Sequence, residues 1–400
     1  MPFALFALAM INFAVGTQSF AFAGVLSELA RDLGITIGKA GLIVGASSIT
    51  FAVGTPIAAR LVANVERRRV IIWGLIALSA VNVLCAFAPL YALLTALRVA
   101  AGIATAFVGA LVTVAAASLV PPEKRGRAFA IVLGGLTIAF VLGVPLGSVV
   151  GGLYGWRATF AMSAIVCLLS LVLITASVPR IAPVTGGRPR FGDVLSNTSV
   201  MRLLALTLLG FSATFTVVSF VGPVITATTG LSGAGVGAIQ AFIGLGSIAG
   251  LTIGGFAADR GKGRIALTLA FAAMACSLSS YWFALSAPQA SVPALAMGFL
   301  MFVGASALFS IIPVNLAAIT IQAGPSAPIA LALNASLVSL GQGIGALFGG
   351  TLTDTFGAAA LGPGGALIAI AGFLLAVSNH HQKPLPKSPI SSWPNSKVHN

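Results

Sequence analysis

Long apolar runs, broken by short polar stretches, set the pattern of the chain. Twelve runs have the length of a membrane crossing: about 3–26, 40–60, 70–88, 91–118, 128–152, 158–178, 200–226, 232–257, 265–286, 291–318, 327–350 and 359–378. A helix needs roughly 20 mostly apolar residues to cross the hydrocarbon core. The period-2 alternation of a barrel is absent, and lipid offers no partner to open backbone groups, so the runs predict helices. The longest interior break, "PRIAPVTGGRPRFGDVLSNTS", is rich in Pro and Gly. It divides the chain into an N-terminal bundle of six helices (1–178), a central loop (179–199) and a C-terminal bundle of six (200–378). A polar tail, 379–400, has the composition of a disordered segment.

Composition supports this fold class, all-α integral membrane. The chain is 58% apolar and 7% charged, against about 25% charged in soluble domains. A net charge of +14 raises the question of nucleic acid, but the placement of the cations answers it. Seventeen of the 21 fall on one side of the twelve-span map: Arg60, Arg67, Arg68, Arg69, Lys124, Arg125, Arg127, Arg180, Arg188, Arg190, Arg202, Arg260, Lys262, Arg264, Lys383, Lys387 and Lys397. Only Arg31, Lys39 and Arg157 fall on the other, and Arg98 lies within a span. That asymmetry is the positive-inside pattern and predicts both termini in the cytoplasm, with no nucleic-acid partner. The first run lacks a basic leader and is read as a span rather than a cleaved signal.

The second half echoes the first at an offset of 198–199 residues. "SITFAVGTPIAARL" (48–61) matches "SIAGLTIGGFAADR" (247–260), and "GVPLGSVVGG" (143–152) matches "GQGIGALFGG" (341–350). Both matches fall on corresponding spans of each half, which indicates a duplicated six-helix unit. Repeats of this kind build carriers that rock one half against the other around a central site.

Four stretches carry candidate chemistry. "GGFAADRGKGR" (254–264) holds Gly255, Asp259, Arg260 and Arg264 at a loop between spans 8 and 9. Its first-half counterpart keeps Gly54, Pro56 and the run Arg67, Arg68, Arg69, but has Ala58 or Arg60 where the acid would stand. "LLTALRVAAGIATAFVGA" (93–110) places Arg98 inside span 4, where a charge is costly and usually faces a polar interior. In span 5, Gly143, Pro145, Gly147, Gly151 and Gly152 form a glycine face with a proline kink site. Near the N-terminus, "GTQSFAFAG" (16–24) sets Gln18 and Ser19 in an apolar run.

With twelve spans, a central loop and these motifs, the chain resembles the major facilitator superfamily, within it the drug and metabolite efflux branch of arabinose-efflux-permease-like exporters. The resemblance covers about residues 3–378. It implies a gating role for the Gly-x-x-x-Asp-Arg loop, a proton-coupled-transporter motif around Arg98, and an exporter motif at "GVPLG". It further implies a bacterial inner-membrane carrier acting as a monomer, with a small-molecule solute, the bilayer and a proton as partners and with no cofactor. One departure is specific. The branch often carries an acid in a span-1 stretch like Gly-Thr-x-Glu-Phe, and here that position is Ser19.

On the span map all seven carboxylates lie at helix ends or in loops, and all three histidines lie in the tail. No catalytic cluster, metal set or phosphate loop is found, so an enzyme or ATP-driven pump is not expected. Two energetic schemes stay open. Coupling could use an edge acid (Glu28, Asp32 or Asp259), or the protein could be an uncoupled facilitator of a neutral solute. A transport-dead sensor body is a third reading. Candidate cavity residues are Asn12, Gln18, Ser19, Arg98, Thr105, Thr137, Phe140, Phe211, Thr214, Gln240, Phe302, Asn334, Ser339 and Gln342. Amides, hydroxyls and phenyl rings around one arginine suit a neutral or anionic solute.

Overall fold

A computed structural model describes residues 2–62, 64–121, 124–181 and 191–378. The tail, and residues 182–190 of the central loop, lie outside the described residues. The described chain is helical, without a strand. In order the helices are α1 (Pro2–Phe20), α2 (Leu26–Asp32), α3 (Ile37–Leu61), α4 (Arg67–Ala86), α5 (Tyr91–Ser118), α6 (Arg125–Ile138), α7 (Val144–Tyr154) and α8 (Trp156–Ser177) in the first half. The second half has α9 (Phe191–Leu195), α10 (Thr198–Val218), α11 (Val221–Thr229), α12 (Ala234–Asp259), α13 (Gly263–Ser286), α14 (Ala294–Ala323), α15 (Ala327–Phe356) and α16 (Leu361–Ser378). Among the described residues, eleven segments are long and apolar enough to cross a membrane. One of them, Ala294–Phe356, is 63 residues long and holds both α14 and α15, of 30 residues each, so it supplies two crossings. Below, the end of the molecule carrying Pro2, Ser177, Thr198 and Ser378 is the terminal end, and the other is the far end.

Three spans depart from the continuous helices that hydropathy predicts. Span 1 breaks after Phe20 into a tight 3-10 turn, Ala21–Val25, before α2 resumes. Span 7 breaks at 219–220 between α10 and α11. Span 5 runs through a π turn, Ala139–Gly143, just before Pro145. Pro145 has no N–H for the carbonyl of Val141, and a widened turn absorbs the lost bond. The three breaks lie where the two halves meet.

Within each half, small residues bring backbones together. Cβ atoms built at Gly246, Gly250 and Gly254 of α12 would lie 2.2–2.5 Å from the carbonyl oxygens of Phe302, Ser306 and Ser310 on α14. Gly341, Gly345 and Gly349 of α15 face the carbonyls of Leu208, Ser212 and Thr216 on α10 in the same way. Lipid gives no hydrophobic drive between helices, so this close packing carries much of the association.

Contacts between the halves are concentrated at the far end and the midplane. There α3 packs on α15, with Gly45 against Gly343 and Ala346. The span-5 face of Val141 in the π turn and Pro145, Ser148 and Gly152 of α7 meets Gly244, Gly237 and Gln240 of α12 and its N-cap Gly233, running antiparallel. Toward the terminal end α3 presents Val53, Ile57 and Leu61 exposed.

Candidate solute site and gates

The polar centre of the first half is assembled around Arg98, which is fully buried. One guanidinium nitrogen, Nη1, donates to Gln18 Oε1 at 3.0 Å, and Nη2 donates to Ser47 Oγ at 3.1 Å. The amide of Gln18 in turn donates to Ser19 Oγ at 2.9 Å and Thr105 Oγ1 at 3.2 Å. Gly102, one turn beyond Arg98, makes this possible. A Cβ there would stand 2.5 Å from the Ser47 carbonyl, so a glycine lets α3 approach α5 closely enough for Ser47 to reach the guanidinium. Ser47 carried no signal of its own in the sequence, because serines are common in these spans.

No carboxylate pairs with Arg98 among the described residues, and its Nε has no hydrogen-bond partner. Its other neighbours are the rings of Phe22 and Phe160, with centroids at 5.0 and 5.9 Å. Those rings stack at 5.2 Å, and Trp156 packs edge-on against Phe160 at 6.0 Å. The Trp156 indole donates to Asp32 at 2.9 Å, and Asp32 also pairs with Arg157 at the far surface. An aromatic wall therefore separates Arg98 from the far face. A buried cation with neutral hydrogen-bond partners retains an uncompensated charge.

At the midplane five phenyl rings link the halves. Phe20 stacks on Phe140 (5.6 Å) and lies tilted against Phe215 (5.3 Å), Phe140 meets Phe309 edge-on (5.4 Å), and Phe211 stacks on Phe215 (6.2 Å). The cavity beside them, lined by Phe140, Thr214, Tyr281 and Phe309, measures about 30 Å³, room for about one water. A groove of about 470 Å³ lies on an exposed flank, lined by α13 and α14 residues such as Cys276 and Phe299.

The remaining candidates are distributed more widely. Asn12 donates to the Val132 carbonyl at 2.8 Å. Thr137 is half-buried on α6. Thr214 contacts Met274 Sδ at 3.6 Å. Gln240 is fully buried but sits between the halves, bonded to Ser148, with its amide nitrogen unpartnered. Phe302 stacks on the outward Phe299 at 6.4 Å. In the second half Asn334 accepts from Thr207 at 2.7 Å, and Asn315 donates to Thr207 and to the Leu203 carbonyl. Asn315 is absent from the candidates above, although an amide in an apolar run was signal enough to find it. Ser339 is buried and Gln342 half-buried on α15. Gln342 lies between the face that packs α10 (Gly341, Gly345) and the face that packs α3 (Gly343, Ala346).

The gating motifs are apart. Arg67 is buried and its backbone N–H bonds Ile181, Arg68 donates to the Thr175 carbonyl, and Arg69 pairs with Glu66, all within the first half. Gly54 packs near Ala106 of the same half, and Pro56 lies inside α3. Asp259 is exposed at the end of α12 beside Gly255, Arg260 covers the Phe256 ring, and Arg264 opens the next helix. In span 5, by contrast, Gly143 abuts Thr17, Gly147 abuts Ala21 and Gly151 abuts Val25, while Gly152 meets Gly233 of the other half.

Two helical halves with a polar midplane, joined face to face across it, define a polytopic carrier. The Major Facilitator Superfamily profile matches residues 8–327, and the chain belongs to that family. A chloramphenicol resistance protein of Streptomyces lividans is 38% identical over 266 residues, 65% of this chain and 68% of that protein. The inner membrane transport protein YdhP of Escherichia coli K12 is 29% identical over 384 residues, 95% of this chain and 96% of YdhP. Among solved structures, a bacterial homologue of the human lysosomal transporter Spinster, inward-facing and unoccupied, superposes with a TM-score of 0.73 at 18% identity, covering 94% of this chain and 95% of that one. The protein is a multi-pass membrane protein of a transporter family, not an enzyme.

Proposed function

We propose that the protein exports a small neutral or anionic solute by alternating access, with both termini in the cytoplasm of a bacterial inner membrane. The cations cluster at the terminal end, and that asymmetry supports an orientation with that end inside. Joined far ends, with the α3 residues Val53, Ile57 and Leu61 exposed toward the terminal end, support an inward-facing reading of this conformation. The observation that carries the solute class is Arg98, a buried cation whose bonded partners are all neutral. Such a site disfavours a cationic solute and leaves charge for an anion or a strong dipole. The chloramphenicol resistance relative supports a drug-like solute of this class. A monomer completes the reading, since each half already finds its partner within one chain.

We infer proton coupling as the energy source. Glu28, half-buried in the first turn of α2, and Asp259 lack an ion pair among the described residues, whereas Asp32 is engaged by Trp156 and Arg157. Purified protein in liposomes is expected to accumulate solute only under an imposed pH gradient. Gradient-independent flux that never exceeds equilibrium would instead establish an uncoupled facilitator. Gln18→Ala is expected to lower flux roughly tenfold, because it removes the acceptor of a buried charge worth about 1.5–3 kcal/mol, while the amount in the membrane stays constant. Unchanged kinetics would remove Gln18 from the site.

A further inference from the structure

We propose that Asp354 is a helix cap supplied by one half to the other, and that this clasp holds the far end shut. The N-terminus of α3 lies at the far face. Its own Ncap residue is Thr36, whose hydroxyl oxygen accepts from the Lys39 N–H at 3.1 Å. A second acceptor comes from across the molecule. Asp354, in the last turn of α15, accepts hydrogen bonds from the Thr36 hydroxyl at Oδ2 (2.9 Å) and from the Gly38 N–H at Oδ1 (3.2 Å). First-turn N–H groups of a helix have no intrahelical partner, and a carboxylate there is favoured both by the bond and by the helix dipole.

The local sequence is built to admit that carboxylate. A Cβ at Gly38 would stand 2.4 Å from Asp354 Cγ and 2.4 Å from the Gly350 carbonyl. A glycine is therefore required for α15 to come this close. At the far end, among the described residues, three hydrogen bonds cross between the halves: the two to Asp354 and the one from Ser148 to Gln240. Asp354 supplies the one carboxyl group of that set, and every separation of the halves at the far end must break both of its bonds. At the terminal end the first-half loop has Ala58 or Arg60 in place of an acid, and Asp259 makes no ion pair among the described residues. The clasp thus biases the resting state toward far-end closure, which under the export reading is the state that loads solute from the cytoplasm. The clasp itself depends neither on the solute nor on the coupling ion.

The test reads geometry rather than flux. Spin-label pairs at Leu90→Cys with Ser291→Cys (far end) and at Asn64→Cys with Lys262→Cys (terminal end), in a Cys276→Ser background, report the two openings in proteoliposomes. Asp354→Ala is expected to raise the far-open population roughly tenfold, the range of losing a helix cap, with the far-end distance lengthening and the terminal-end distance shortening. Asp354→Asn, which keeps one acceptor, is expected to fall between. Gly38→Ala keeps the acid in the chain but puts a Cβ where its carboxyl sits, and is expected likewise to lengthen the far-end distance and shorten the terminal-end distance. This keeps the test intact if Asp354→Ala does not fold. Distances unchanged in Asp354→Asn and Gly38→Ala, or a lower melting temperature without a change in either distance, would overturn the proposal. Absence of solute flux in the wild type would defeat the export reading and leave the clasp standing if the distances move.

Discussion

Arg98→Met is expected to reduce solute flux by roughly two orders of magnitude while leaving thermal stability close to wild type. Two opposing contributions to folding make the second half of that statement. Replacing a buried ionic group by an apolar side chain of similar length is often neutral or stabilising by about 1–4 kcal/mol. Against this, Gln18 Oε1 and Ser47 Oγ lose a donor, and leaving buried polar groups unmet costs about 1–3 kcal/mol. The terms offset, so the melting temperature moves little. Flux has no such compensation, because the substitution removes the buried charge at the polar centre. The measurement is initial-rate transport set beside a thermal melt of the same preparation. A melting temperature that falls in step with the lost flux would make Arg98 a structural residue and sink the site reading. Arg98→Lys separates charge from geometry. A lysine keeps the cation but cannot reach Gln18 and Ser47 in a fixed fork, so partial flux is expected.

Much of the architecture was legible because the bilayer imposes a length on every crossing. The apolar runs mark the spans, and their edges fall within several residues of the helices. Spans 10 and 11, separate runs in the sequence, follow each other without a gap in the fold: the 3-10 turn Gly324–Ser326, with Gly324 at φ +51°, joins α14 directly to α15. The breaks at Ala21–Val25 and 219–220 were not legible in outline: they lie where halves distant in sequence meet, and a hydropathy window averages over them. The π turn Ala139–Gly143 is the exception, since Pro145 marks a kink site in the sequence itself. The same limit applies to side-chain pairing. Arg98 announced itself as a charge in a span, but its partner Ser47 did not. Asp354, placed in a loop by the span edges, became informative only when the last turn of α15 brought it to Gly38. The amide at Gln240, weighed as a cavity residue, sits instead at the seam with Ser148, because Gly24 opens room for it.

Gly222→Leu is expected to abolish far-end closure and with it solute turnover. Gly24 and Gly222 are repeat equivalents, 198 residues apart, each following a phenylalanine by two positions. They meet at the breaks of spans 1 and 7. A Cβ at Gly222 would lie 2.2 Å from the Gly24 carbonyl oxygen and 2.8 Å from that of Ala23. Both obstacles are backbone, so neither can rotate away. The halves can relieve the clash by separating, and the overlap penalises only the state in which they touch. Overpacking a well-fitted core costs about 1–3 kcal/mol, which is roughly a five- to 150-fold shift of the equilibrium toward the far-open state. Each half keeps its own internal packing, since Gly222 meets the first half rather than its own bundle. Membrane insertion and thermal stability are therefore expected to survive, with flux lost and the far-end spin-label distance long. Gly24→Leu is expected to differ: its Cβ would fall on Ser148 Oγ of its own half as well as within 3.0 Å of Gln240 Nε2, so the melting temperature is expected to fall together with the flux. A Gly222→Leu protein that transports at the wild-type rate would show that the far end need not close as tightly as it does here, and would remove alternating access about this seam as the mechanism.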